Sequence, residues 1–182
     1  MAFRLVSMLF SLADNVFKPD RRAAEEAEHE IRMELMSLGL LSEEAREALE
    51  ALDKALARRG DDAKLEALFA LAEALEGPLG DMAGLGLGGC LRGLVGSTWA
   101  LRRASFERGV FYLARLVASL EGLLTGVHEA DEVRRLVASL FRHASNMEFP
   151  LALGALADLV RLMDEAVERL VLARRGRPRR AS

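Results

Sequence analysis

Eight of the fifteen glycines fall between positions 77 and 96, in the run GPLGDMAGLGLGGCLRGLVGSTWAL, with helix-patterned sequence on either side. A glycine in a helix interior costs roughly 0.8 to 1 kcal/mol relative to alanine, so such a cluster implies a break, a tight helix contact or a membrane-type packing face. Two small-residue ladders run through it, Gly80, Gly84, Gly88 and then Gly89, Gly93, Ser97. If helical, each ladder lets another backbone come close, which makes Gly80, Gly84, Gly88, Gly89 and Gly93 the candidate helix-packing residues. Between positions 82 and 101 the only charge is Arg92, so the segment has the length of a membrane span with a charge near its middle. The central arginine and the glycines weaken insertion. A helix buried against neighbours, or an irregular crossover, is therefore expected ahead of a span.

The flanking sequence repeats apolar residues every three or four positions, the period of a helix with one buried side. At the start, Arg4, Ser7, Ser11, Asn15 and Lys18 form a polar stripe that leaves Phe3, Val6, Phe10, Ala13 and Phe17 on a broad apolar face in need of a partner. The apolar stretch 5–10 is shorter than the core of a secretory signal, so secretion is not expected. Pro19 suits a first-turn position, and Ala24, Ala27, Ile31, Leu35 and Leu38 carry a second stripe to Gly39. Ser42 is placed to cap a third helix, with Ala45, Leu49, Leu52 and Leu56 before the stop signals Arg58, Arg59 and Gly60. Asp61 or Asp62 starts a fourth, with Leu65, Leu68, Phe69, Ala72 and Leu75 facing inward up to Gly77 and Pro78. After the glycine cluster, Ser105 precedes a helix patterned by Phe106, Val110, Leu113, Val117, Leu120 and Leu124. Another from about Glu129 carries Val133, Leu136, Leu140 and Phe141, and the last runs from near Phe149 and Pro150 to Ala173, with Ser145 or Asn146 as its cap. Short connections predict antiparallel neighbours, and the heptad-like rhythm of 106–121 and 149–173 predicts that these two form the central pair. The hexapeptide RLVASL occurs at 115–120 and again at 135–140, and the glycines between the copies place them on two separate helices.

Composition narrows the functional classes. Leu, Ala, Glu and Arg dominate, a helix-forming alphabet poor in the residues that strands favour. Gln is absent, Asn occurs only at 15 and 146, and Arg outnumbers Lys by 22 to 3. The scarcity of thermolabile amides suggests a heat-adapted source, although the thermophile pattern usually includes lysine. The net charge of −3 conceals a partition: residues 19–76 hold sixteen acids against eight bases, whereas the final ten residues hold five arginines and no acid. The acidic half argues against a nucleic-acid-binding body. Arg174, Arg175, Arg177, Arg179 and Arg180 are the candidates for contact with an anionic partner, on a basic, flexible tail spanning 174–182.

Chemistry-bearing constellations are sparse. Glu25, Glu26 and His29 contain the Glu-x-x-His spacing of carboxylate-bridged di-iron bundles, but such a site needs a second copy. Neither His128 nor His143 follows a glutamate by three residues, so a solvated charged face is expected and no metal is assigned. Cys90 is the only cysteine, which excludes an intrachain disulfide, and no histidine lies near it in sequence to activate it as a nucleophile. Gly84-Leu85-Gly86 resembles the start of a dinucleotide fingerprint but lacks a preceding strand.

The stretch LRGLVGSTWALRRASFERGVFYLARLVASLEGLL, residues 91–124, has a Leu-rich segment leading to Arg108-Gly109, then leucines at 113, 116 and 120 and a terminal Gly122. In this it resembles a helical family of unknown function often encoded beside formate dehydrogenases or sulfide:quinone oxidoreductases. The resemblance implies a helical fold and transfers no catalytic residue.

The expected architecture is all-α, a compact bundle of six to eight helices over residues 1–173 with the Gly-rich segment at its centre. The expected function is that of a non-enzymatic helical interaction or scaffold protein without a cofactor, cytoplasmic, acting on a protein partner or on itself. Two alternatives use the same features: a membrane-associated accessory subunit of a redox or transport complex, peripheral to the membrane through residues 1–18 or the glycine ladder, and a ligand-binding bundle with a pocket near the Gly-rich segment.

Overall fold

The computed structural model describes residues 4–58, 60–83, 90–124 and 130–176. Among these the chain forms eight helices and no strand, so the all-α bundle is the fold. In order they are α1 (Leu5–Val16), α2 (Arg21–Ser37), α3 (Glu43–Leu56), α4 (Asp62–Ala83), α5 (Cys90–Arg102), α6 (Phe106–Leu124), α7 (Ala130–Ser145) and α8 (Phe149–Arg175). Successive helices pack in pairs, α1 with α2, α3 with α4, α5 with α6 and α7 with α8. The pairs meet around α5, which also touches α1, α4 and α8.

Local chemistry explains most boundaries. Ser42 Oγ accepts the Ala45 N–H at 3.1 Å and starts α3, as its position implies. Asp20 caps α2 by accepting from Arg22 and Ala23, so Pro19 lies one residue outside the cap rather than in the first turn. Three helices end in the same way. The N–H groups of Leu40, Ser105 and Glu148 reach back to the carbonyls of Leu35, Ala100 and His143, with Gly39, Ala104 and Met147 in the left-handed region at φ 69°, 52° and 60°. This is the Schellman arrangement, in which glycine alone escapes a Cβ penalty.

Several sequence expectations give way to tertiary packing. Helix α4 does not stop at Gly77 and Pro78 but continues to Ala83. Pro78 forfeits one backbone hydrogen bond at about 3 kcal/mol, and burial of Leu75 and Leu79 on either side holds the helix together across it. Helix α8 extends to Arg175, so Arg174 and Arg175 close a helix instead of opening a tail, and it begins without a side-chain cap because Ser145 belongs to α7. The central element is neither α6 nor α8. It is α5, with 11 of its 13 residues buried. Nearly free of charge in its interior, α5 can be surrounded, whereas α6 and α8 each keep a polar side.

The N-terminal apolar face also finds its partner within the chain. Leu5, Val6, Leu9, Leu12, Ala13 and Val16 are buried in the common core, and α1 packs on α2, α5 and α8. Its first turn is held from α8: the Asp164 carboxylate accepts the Val6 N–H at 3.1 Å and the Ser7 N–H at 3.0 Å, with the Ser7 hydroxyl also against it. These donors are among the four that a helix start leaves unpaired, so Asp164 acts as an N-cap supplied by a distant helix. Burial pushes its carboxyl up to about 7, against the lowering effect of the two N–H groups and Arg4, with Glu168 adding to the rise. At the end of α1, Asp14 receives Arg102 Nε at 2.5 Å and Lys18 Nζ at 3.1 Å. Burial alone would raise the Asp14 carboxyl, but these two cations outweigh it and hold it below the usual value.

Two measurements test this account. Because the folded Asp164 pKa exceeds the unfolded value, its contribution to stability is complete below about pH 4 and is lost as pH rises through about 7. Thermal or denaturant unfolding should therefore show stability falling over that window, with a slope approaching about 1.4 kcal/mol per pH unit that flattens in Asp164→Asn. Ala104→Gly and Met147→Gly should each raise stability by about 0.5 to 1 kcal/mol by relieving the left-handed turns.

Candidate interaction face

The α5–α6 pair is built on small residues. A methyl placed on Gly93 would lie 3.0 Å from the Leu116 backbone nitrogen and 3.1 Å from its Cα, so the two backbones approach as closely as atoms allow. One turn on, a methyl at Gly96 would fall inside the Tyr112 ring, and beyond that the Ala100 methyl faces Gly109 at ordinary contact distance. Gly93 thus meets α6, and Gly80 lies within α4, while Gly84, Gly88 and Gly89 lie outside the described residues. The same holds for Arg177, Arg179 and Arg180.

Seating Tyr112 on Gly96 organises the rings around it. Phe69 from α4, Trp99 from α5 and Phe111 from α6 have their centroids 5.9, 6.5 and 5.3 Å from that of Tyr112, the last two edge-on. Edge-on and tilted pairs at these distances match the quadrupoles of the rings. The chain's one tryptophan and one tyrosine therefore share a single cluster. Arginines cover its rim: Arg92 stands 4.7 Å from the Phe69 ring centre, Arg108 5.0 Å from that of Trp99 and Arg115 5.6 Å from that of Phe111. Cations over aromatic faces at this range gain about 0.5 to 1 kcal/mol at exposed sites.

The arginines differ in their partners. Arg92 pairs with Glu73 of α4 at 2.7 Å. Arg103 forms a two-pronged bond with Asp61, whose other contact is the Trp99 indole N–H at 3.4 Å. The Arg103 guanidinium holds the Asp61 carboxyl below its usual value. Among the described residues, Arg108 and Arg115 have no carboxylate within ion-pair distance, and both are exposed. Phe111 between them is 57% exposed.

A second surface lies between α3 and α4, where Ala48, Ala51, Ala55, Ala67, Ala70 and Ala74 floor a groove of about 750 Å³. Its rim mixes Glu44, Glu47, Glu66 and Glu73 with Lys54 and Arg58. A smaller recess of about 410 Å³ beside it reaches Phe69 and Arg92.

The chemistry-bearing candidates are not drawn into either surface. Glu25 and Glu26 pair with Arg21 and Arg22 one turn away on an exposed face, and His29 beside them is exposed. Among the described residues no three of His, Cys, Asp and Glu are grouped to hold a metal. Cys90 is fully buried, and burial together with the Glu76 charge pushes its thiol up to about 12, so it is not a thiolate at neutral pH. Within the described residues no helix is long and apolar enough to cross a membrane.

Comparison of the chain with protein-family models, with curated proteins and with solved structures gives no match. The fold places it among all-α bundles built of helical hairpins, with Phe111, Arg108 and Arg115 exposed over the buried Trp99 and the half-buried Tyr112.

Gly93→Ala should lower stability by about 1 to 3 kcal/mol through overpacking against Leu116. Gly77→Ala and Gly154→Ala, helical glycines with open space where a methyl would go, should each raise it by about 0.5 to 1 kcal/mol. Equal effects at the three positions in thermal melts would contradict a close α5–α6 contact. Cys90 should resist alkylation by iodoacetamide at pH 7 until the chain is unfolded.

Proposed function

We propose that the chain is a non-enzymatic interaction protein that works by packing its helices against a protein partner. The observation that supports this reading is the convergence of Trp99, Tyr112, Phe69 and Phe111 with Arg92, Arg108 and Arg115 on one side of the α4–α5–α6 layer. Tryptophan, tyrosine and arginine are the residue types that carry most of the binding energy at protein interfaces. In this cluster Arg108, Arg115 and Phe111 are exposed, while Trp99 is buried and Tyr112 half-buried beneath them as support. The rings hold one another in fixed geometry, so little side-chain entropy remains to be lost on docking.

The membrane-facing alternative draws no support from α1, whose apolar side is already occupied by α2, α5 and α8. Deleting residues 1–18 should therefore unfold the bundle rather than release an otherwise folded protein from vesicles. The ligand-pocket alternative draws no support from Gly93 and Gly96, against which Leu116 and Tyr112 are packed, while Gly84, Gly88 and Gly89 lie outside the described residues.

Chemical cross-linking of the tagged full chain in its native extract, followed by purification and mass spectrometry, tests the interaction reading. The expected result is one protein partner at defined stoichiometry, cross-linked through the α4–α5–α6 side. Recovery of the chain alone, or specific turnover by the purified chain, would overturn it.

A further inference from the structure

We propose that the outward face of α6, formed by Arg108, Phe111, Ala114, Arg115 and Ala118, is the docking site for an acidic amphipathic helix of a partner protein. The proposal rests on the interaction reading above and adds the chemistry of the partner. Helix α6 is supported on one side only. It lies on α5 through Leu116, Tyr112 and Gly109, with α7 as a minor neighbour, while the five named residues are exposed on the other side.

The spacing of that face matches a helix laid alongside. Arg108, Phe111 and Arg115 follow three- and four-residue steps, so they form one stripe in which the two arginine positions stand two turns, or about 10.5 Å, apart along the helix with Phe111 between them in sequence. Ala114 and Ala118 continue the face with no more than a methyl each, leaving room for a second backbone next to the Phe111 ring. A partner helix would present carboxylates one heptad apart, on either side of an apolar residue resting on Phe111.

Cations unpaired among the described residues, and not the net charge of a stripe that also holds the Glu107 position four residues before Phe111, select the partner's carboxylates. The arginines at Arg92, Arg102 and Arg103 are each neutralised by Glu73, Asp14 and Asp61, whereas Arg108 and Arg115 rest on aromatic rings without a described carboxylate partner. Their forked donors suit bidentate carboxylate binding, and the rings beneath restrict their motion. The same layout disfavours a nucleic acid. Two isolated guanidiniums do not track a phosphate backbone, and the sixteen acids of residues 19–76 would repel a long polyanion that a short helix need not approach.

Trp99 lies under Arg108 and is the only tryptophan, so its emission reports on this face without labelling. The probes are a synthetic acidic amphipathic helix with glutamates at heptad spacing around a leucine, the same peptide with lysines in place of the glutamates, and oligothymidylate. The acidic peptide should bind the full-length chain and shift Trp99 emission, and binding should weaken as salt rises from about 0.05 to about 0.5 M. Affinity should drop at least about tenfold in Arg108→Glu/Arg115→Glu and, independently, in Phe111→Ser. Arg134→Glu/Arg135→Glu, on α7, should leave it unchanged. Circular dichroism melts of each variant establish that the fold is intact, and single reversals at Arg108 or Arg115 serve if the pair is unstable.

Absence of peptide binding, equal binding by the charge-reversed chain, or tighter binding of oligothymidylate would overturn the proposal. A concentration-dependent dimer dissociated by the same reversals would assign the face to a second copy and overturn it as well. A native partner retained in full by Arg108→Glu/Arg115→Glu would refute this site while leaving the interaction reading intact.

Discussion

The approach of α5 to α6 at Gly93 sets the geometry on which the rest of the bundle is built. With hydrogen at that position the Leu116 backbone can sit where a side chain would otherwise stand, and the next turn repeats the arrangement with the Tyr112 ring over Gly96. Interiors pack near crystal density, so a contact this close leaves no slack to absorb a change. It explains why α5 can be enclosed by α1, α4, α6 and α8 although it is only 13 residues long. Small residues on the α6 side free its other sides for Leu91, Leu94 and Val95 to fill the core.

Charge then works at the ends of the central helix. Arg92 near its start and Arg102 and Arg103 at its close tie it to Glu73, Asp14 and Asp61, which belong to α4, α1 and the turn before α4. Surface pairs of this kind contribute little singly, about 0 to 1 kcal/mol. Between α2 and α3, Arg32 does the same by reaching both Glu28 and Asp53. The hydrophobic core supplies the driving force, and the arginines bridge α5 to α1, to α4 and to the turn before α4, and α2 to α3.

The fold class, the helix count and most starts and stops were legible because they depend on neighbours in sequence. Ser42 and Gly39 declare their roles through local chemistry, and the stripe along α1 declares that it must be covered. What covers it was not legible, since an amphipathic face carries no label distinguishing lipid from leucine. Pro78 reads as a terminator, and only the burial of Leu75 and Leu79 against other helices reverses that. The aromatic cluster was missed for the same reason: Phe69, Trp99 and Tyr112 are scattered along the chain and meet only because Gly96 admits a ring. The spacing of Gly93, Gly96 and Ala100 could have flagged that face of α5. A signal for Asp164 was also present, an acid set among Val160, Met163 and Val167 in an apolar row.

The cap that Asp164 places on α1 joins residues 158 positions apart, and this bears on how the protein comes into being. A ribosome adding about 5 to 20 residues per second delivers the first helix about 8 to 30 s before the carboxylate that finishes it. Throughout that interval the side of α1 that meets α8 lacks its cover and the amides of its first turn lack their final acceptor. The start of α1 is thus finished by a group made 158 positions later, so this helix is completed after translation of α8 and not as it emerges.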